Sequence, residues 1–187
     1  MTSRDKKPLN GADIVHFWFE ESVPENWFKK DPEFDAMLTE RFGQLVERAL
    51  AGQLDDWAAE AETCLGLILL LDQMTRNIYR DTPRAFAGDE LALALSLKMV
   101  DKGWLDKDNG AKRQFALMPM MHSEDLAIQD ASLPLFKTHT MDMVYDYAVR
   151  HRDIVARFGR FPHRNAILGR PSTDEEAAFL TQPNSSF

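Results

Sequence analysis

The sequence predicts an all-α protein that folds as a single domain around one buried helix. Apolar residues recur every three or four positions along most of the chain, which is the spacing of one helix face. Helix caps and glycine stops separate these segments, and none shows the alternation of apolar and polar residues expected of a strand. Residues 64–71 are uncharged on every side, so we expect other helices to enclose a central helix at about 56–78.

The N-terminal half predicts three helices, each with its own start signal. Asn10 can cap a short first helix, and Asp31 followed by Pro32 is typical of a helix start with proline in the first turn. The helix that begins at Pro32 should end at Gly52, and the central helix should open at Asp55 or Asp56.

The C-terminal half predicts further helices joined by short loops. They lie at 89–102, at 111–118 before Pro119, at 124–137 with Ser123 as the cap, at 141–158 before Gly159, and after the capping box of Thr173 and Glu176. This gives seven or eight helices, which we expect to pair as antiparallel hairpins in a tetratricopeptide-like array. We expect residues 160–170 to form a structured loop. Residues 1–9 and 182–187 should be loose tails of a single domain that covers 1–187.

Composition and motifs exclude several classes of function. The net charge of -8 disfavours nucleic-acid binding. The single cysteine, Cys64, excludes an internal disulfide or a thiolate metal cluster. No apolar run reaches the ~20 residues that span a bilayer, and no secretory signal is visible, so we expect a cytoplasmic protein without membrane contact. The chain has no phosphate-binding glycine loop, no dinucleotide fingerprint and no paired-histidine zinc helix, so we expect neither cofactor nor metal.

Three polar stretches with apolar flanks are candidates for a functional site. They are residues 72–80, 122–125 and 151–170. Residues 150–170 contain six arginines and one acid, Asp153, in a chain that is acidic overall. Arginine binds carboxylate or phosphate through two hydrogen bonds. These arginines therefore predict either an anionic ligand or acidic partners within the protein.

The first interpretation is a pocket for a small anionic metabolite. Its predicted ligand-binding residues are Arg76, Asn77, Arg80, His122, Glu124, Arg160, His163, Arg164 and Asn165. His122, His163 and Asp72 are candidates for acid–base chemistry because imidazole titrates near neutral pH and a carboxylate can orient it. The sequence leaves open whether the pocket is catalytic.

The alternative interpretation assigns the same arginines to internal ion pairs. Arg76, Arg160 and Arg164 would then pair with Asp72, Glu124 and Asp125, and the domain would be a helical scaffold that binds a protein partner. The sequence does not predict the oligomeric state.

Several motifs, spread over nearly the whole chain, carry a resemblance to a known family. They are Phe17–Glu20, Trp27–Phe28, Leu71–Arg80, Met118–Pro119, His122–Asp125, Arg157–Asn165 and Leu168–Arg170. In these motifs the chain resembles the mainly bacterial proteins catalogued as domain of unknown function 924. The resemblance implies a compact all-α fold related to tetratricopeptide-type helical hairpins, and it implies no established activity. The chain departs from the family pattern at Met74–Thr75, where an aromatic residue followed by proline is expected.

Overall fold

Helices make up the regular structure of residues 8–107 and 109–187, which are the residues described by this computed structural model; the side chain of residue 107 is also outside the description. This part of the chain contains nine helices and no strand. The helices are α1 (Gly11–His16, with a π-helical end at Phe17–Glu21), α2 (Glu25–Phe28), α3 (Pro32–Leu50), α4, α5 (Asp89–Asp101), α6 (Gly110–Met121), α7 (Leu126–His139), α8 (Asp142–Phe158) and α9 (Asp174–Leu180).

The central helix, α4, has three continuous segments. It is α-helical at Ala61–Ile68, π-helical at Leu69–Met74 and α-helical again at Thr75–Ile78. The predicted start near residue 56 was wrong, because Asp55–Ala59 forms a separate 3-10 turn. The predicted burial is confirmed, since the side chains from Cys64 to Leu71 lie in the main hydrophobic core.

Two glycines let the first helix lie directly against the central one. A Cβ atom on Gly66 of α4 would lie 2.1 Å from the carbonyl oxygen of Gly11 in α1. A side chain at either position would therefore separate the two backbones. This contact anchors the N-terminal end of α4, while its polar C-terminal end lies against α3, α5 and α6.

The caps predicted at Asn10, Asp31 and Thr173 are confirmed, because each side chain accepts hydrogen bonds from the first turn of its helix. Gly159 ends α8 in the left-handed conformation, as predicted.

Two predicted features between α6 and α7 were wrong. Helix α6 does not stop before Pro119 but continues to Met121, and the Ser96 hydroxyl donates to the Ala116 carbonyl in the turn before this proline. The cap of α7 is Asp125, not Ser123, because the Asp125 carboxylate accepts the first amides of that helix. The residues between these helices, 122–124, form a turn at the polar end of α4.

Consecutive helices from α5 to α9 carry the chain around the central helix to its C-terminus. Helix α6 packs against α5 and α7, and α7 packs against α8. A small second cluster of Ile154, Val155 and Phe161 holds the loop after α8. In the predicted tail at 182–187, Ser185 is buried and the Phe187 ring stacks on His151 with 3.7 Å between ring centroids. No helix in the described ranges is both long and apolar enough to cross a membrane.

Candidate functional site

The π-helical segment of α4 places two polar side chains inside the protein. Asp72 and Gln73 are both buried, and the Gln73 amide donates to Asp72 Oδ2 at 2.5 Å. A π-helical turn holds one more residue than an α-helical turn, and such turns are frequent at functional sites. The extra residue changes which side chains of α4 face α6.

Asp72 is bound by a histidine and an arginine from different directions. Its Oδ1 atom accepts a hydrogen bond from Nδ1 of His122 at 2.7 Å and lies 3.1 Å from Nη1 of Arg76. Burial alone would raise the pKa of Asp72, but the charge of Arg76 and the hydrogen bonds from His122 and Gln73 outweigh burial and hold this pKa well below its usual range. Asp72 is therefore ionised at neutral pH.

The other ring nitrogen of His122 reaches solvent. With Asp72 ionised, Nδ1 of His122 must carry the proton of this hydrogen bond, so Nε2 of the neutral ring is a hydrogen-bond acceptor. Nε2 has no protein partner among the described residues and is not one of their enclosed polar atoms. His122 lines a surface cleft, and its side chain is 12% exposed. Nε2 therefore keeps some accessible surface, on a side chain that lines the cleft.

His122 is neutral at neutral pH. Burial lowers its pKa below the ordinary value, the charge of Arg76 adds to this effect, and Asp72 opposes it. The arrangement is a buried carboxylate that holds an uncharged imidazole by one nitrogen, with the second nitrogen open to a ligand.

The cleft has a volume of about 760 Å³ and is mainly acidic. Four carboxylates and one guanidinium lie among its lining residues, and these are Asp89, Glu90, Glu124, Asp125 and Arg164. Apolar side chains, including Phe86, Leu93 and Leu168, supply the rest of the wall. Such a mixture of apolar surface and a few polar groups is common in small-molecule sites.

The arginine that lines the cleft is held on all sides. The Arg164 guanidinium lies between the rings of Phe86 and Phe161, 4.7 Å from each centroid. It donates to Asp89 at 3.1 Å and to the His122 carbonyl at 2.9 Å. Burial lowers the pKa of Arg164 to about 10, so this group keeps its charge at neutral pH. Arg164 therefore fixes the wall of the cleft.

Asp89 joins the two arginines into one network. It lies 2.9 Å from Arg76 Nη1 and accepts from both Arg76 and Arg164 at 3.1 Å. The structure thus brings together four of the predicted site residues, Asp72, Arg76, His122 and Arg164, through a residue that the sequence did not indicate. In the sequence, Asp89 marked only the start of the helix expected at 89–102.

The remaining predicted site residues have other partners. Asn77 and Arg80 bind Asp35 of α3, and Arg160 binds Glu176 of α9, so none of these three lines the cleft. Glu124 lines the cleft but is paired with Arg170, at 2.7 Å. The predicted pairing of Arg76 with Asp72 is present, while the pairings expected for Arg160 and Arg164 were wrong, since their partners are Glu176 and Asp89.

His163 and Asn165 are not among the residues that line the cleft. Nδ1 of His163 is enclosed without a partner among the described residues, and burial together with the charge of Arg164 lowers the pKa of His163 to about 4. Asn165 accepts from Arg170 and donates to Ser172. Ligand binding by either residue stays a prediction.

No group of three His, Cys, Asp or Glu side chains within 8–107 and 109–187 is arranged to hold a metal ion.

Comparison with known proteins gives a family and a fold. Residues 14–184 match the model of a family described as bacterial protein of unknown function, DUF924. The chain belongs to this family. The structure is similar to that of a protein of unknown function, ATU0120 from Agrobacterium tumefaciens, with a TM-score of 0.86 and 40% sequence identity. The match covers 91% of this chain and 96% of that one. No curated protein matches.

The resemblance predicted from the motifs is confirmed by the family match, and the all-α class by the helices. The relation to tetratricopeptide arrays stays a prediction. Neither the family nor the similar structure has a stated activity.

Proposed function

We propose that His122 is the acid–base residue of a small-molecule site, with Asp72 as the carboxylate that orients it. The observation that supports this proposal is the difference between the environments of the two ring nitrogens. Nδ1 is bound to a buried, ionised carboxylate at 2.7 Å, and Nε2 has no partner among the described residues and belongs to a side chain that lines a cleft of about 760 Å³. A histidine held in this way can accept a proton from a bound hydroxyl, amine or water.

Asp72 supports this chemistry in two ways. It selects the ring form with the proton on Nδ1, which leaves Nε2 basic, and its negative charge stabilises the imidazolium produced by proton uptake. Arg76 keeps Asp72 ionised, and with burial it keeps the resting imidazole neutral. The internal arginine network and the proposed site are therefore compatible, because the network maintains the charge states that the site requires.

The charges around the cleft favour an uncharged or cationic ligand over the anion expected from the sequence. Arg164 uses its terminal nitrogens on Asp89 and the His122 carbonyl, and its Nε atom is enclosed. Glu90 has no hydrogen-bond or salt-bridge partner among the described residues and lines the same cleft. We expect a ligand with a hydroxyl or amino group directed at His122 and an apolar part against Phe86 and Leu93.

The accessibility of Nε2 can be tested with diethyl pyrocarbonate, which modifies the unprotonated imidazole nitrogen. Peptide mass spectrometry after short exposure at pH 7 should show modification of His122, with exposed His16 as the internal reference. The isosteric Asp72→Asn variant should slow the modification of His122 relative to His16. Its amide can donate to Nδ1, which moves the ring proton to Nε2. A His122 that is as inert as buried His151 would contradict the proposal.

Ligand binding can be tested by a thermal-shift screen of amines, alcohols, carboxylates and phosphates. A hit should raise the melting temperature of the wild type and not that of His122→Gln. His139→Gln, a histidine outside the cleft lining, is the matched control and should keep the response. Hits restricted to anions, or hits that stabilise His122→Gln equally, would refute the proposed ligand class or the role of His122, respectively.

A further inference from the structure

The turn that carries His122 is bound by side chains at three consecutive carbonyl groups. Gln129 of α7 donates from Nε2 to the carbonyls of Met121 and Ser123, at 2.6 and 2.8 Å. Arg164 donates to the carbonyl between them, that of His122, at 2.9 Å. The last carbonyls of a helix lack hydrogen-bond donors within the helix. Here Gln129 of α7 and Arg164 of the loop after α8 supply these donors. The backbone of His122 is therefore fixed on both sides.

The orientation of the Gln129 amide follows from its surroundings. Gln129 is fully buried, and its Nε2 atom faces two carbonyl oxygens. Rotating the amide by half a turn would direct Oε1 at the same oxygens and lose both hydrogen bonds. In the observed orientation Oε1 is enclosed without a partner among the described residues. The contacts that the Gln129 amide makes are therefore its two hydrogen bonds to the turn at 121–123.

We propose that Gln129 is a positioning residue for His122, an inference that rests on the function proposed for that histidine. By binding the carbonyls before and after it, Gln129 holds the imidazole at the distance from Asp72 that keeps the proton on Nδ1. Gln129 makes no hydrogen bond to the ring and is not itself a lining residue of the cleft. Gln129 acts through the backbone. Its loss should change which nitrogen of the His122 ring carries the proton, without removing any group from the site.

Nitrogen NMR of the histidine ring distinguishes positioning from a merely structural role. In the wild type, His122 should show a single ring form with the proton on Nδ1. The Gln129→Met variant has a side chain of similar length that cannot donate. We expect it to show a mixture of ring forms and an approximately tenfold slower modification of His122 relative to His16, a factor that corresponds to about 1.4 kcal/mol and lies within the range of the two hydrogen bonds that are lost.

The matched control is Ser132→Ala on the same helix. Ser132 is also fully buried and donates one hydrogen bond, to the Gln129 carbonyl, without contacting the turn at 121–123. This variant should lose stability but keep the wild-type ring form and modification rate. If Gln129→Met instead matches Ser132→Ala in both readouts, Gln129 only stabilises the fold and the inference is wrong.

One measurement requires no variant and separates the two proposals. Both side-chain amide protons of Gln129 should exchange slowly with solvent in the wild type, because both are buried and bonded. Exchange at the rate of a free amide would overturn the positioning role while leaving the pair of Asp72 and His122 intact. A wild-type His122 with its proton on Nε2 would instead refute the proposed function. If Gln129→Met does not fold, fast exchange of these amide protons in the wild type would still overturn the inference.

Discussion

Replacing Arg76 by methionine should test the charge network below the cleft. The guanidinium lies 3.1 Å from Asp72 and 2.9 Å from Asp89, and its side chain is 21% exposed. Asp89 keeps Arg164 as a partner in the variant, at 3.1 Å, but Asp72 is fully buried and keeps only His122 and Gln73. Breaking a buried ion pair by removal of one partner costs about 3–5 kcal/mol, and we expect a loss of this order at pH 8.

The loss should become smaller as the pH falls. In the wild type, burial and Arg76 lower the pKa of His122. Without Arg76, the buried Asp72 carboxylate should raise this pKa above that of the unfolded chain, about 6.5. Protonated His122 then stabilises the variant below pH 6.5, and this contribution is lost as the pH rises through the raised pKa. Each unit of that rise corresponds to about 1.4 kcal/mol.

Urea unfolding of both proteins at pH 5.5 and pH 8.0 measures this difference. Arg84→Met is the matched control, because Arg84 pairs with Glu47 on the surface, with 54% of its side chain exposed. It should cause a much smaller loss with little dependence on pH. A loss for Arg76→Met that is equal at the two pH values would refute the proposed charge coupling. A double variant with Asp72→Leu that restores stability would assign the loss to the unpaired carboxylate.

Two further predictions concern a buried histidine and a helix contact. Burial lowers the pKa of His151 to about 3, so the unfolded state binds more protons below pH 6.5 and stability falls with acid by about 1.4 kcal/mol per pH unit. His151→Gln should reduce the slope of unfolding free energy between pH 6 and 5 by this amount, and exposed His16→Gln should not. Gly66→Ala would bring a Cβ to 2.1 Å from the Gly11 carbonyl, so we expect a loss of about 3 kcal/mol or more in thermal unfolding. Gly110→Ala, with open space around its Cβ, should be neutral or stabilising.

The sequence predicted the central helix well because a long uncharged segment has few alternatives to burial. It also placed Asp72 and Arg76 on one face, and the structure shows them 3.1 Å apart. The motif at His122–Asp125 was correctly placed next to α4, since His122 binds Asp72. These contacts depend on side-chain types and short spacings, which a sequence displays directly.

The partners of the arginines could not be predicted because they depend on how distant segments pack. Asp89 and Arg164 are separated by 75 positions, and Glu176 had a sufficient explanation as part of a capping box. Gln129 was missed for another reason. Its partners are backbone carbonyls, which every residue has, so no pattern of residue types marks the contact.

The π-helical segment of α4 makes the number of residues in this region as important as their identity. If the same number of residues formed a regular α-helix, the rest of α4 would be turned by about 100°, the rotation of one residue, relative to its first half. Asp72 would keep its place in the motif and lose its place opposite His122. Members of this family should therefore be compared first by the number of residues between Gly66 and Asp72, and only then by which residues these are.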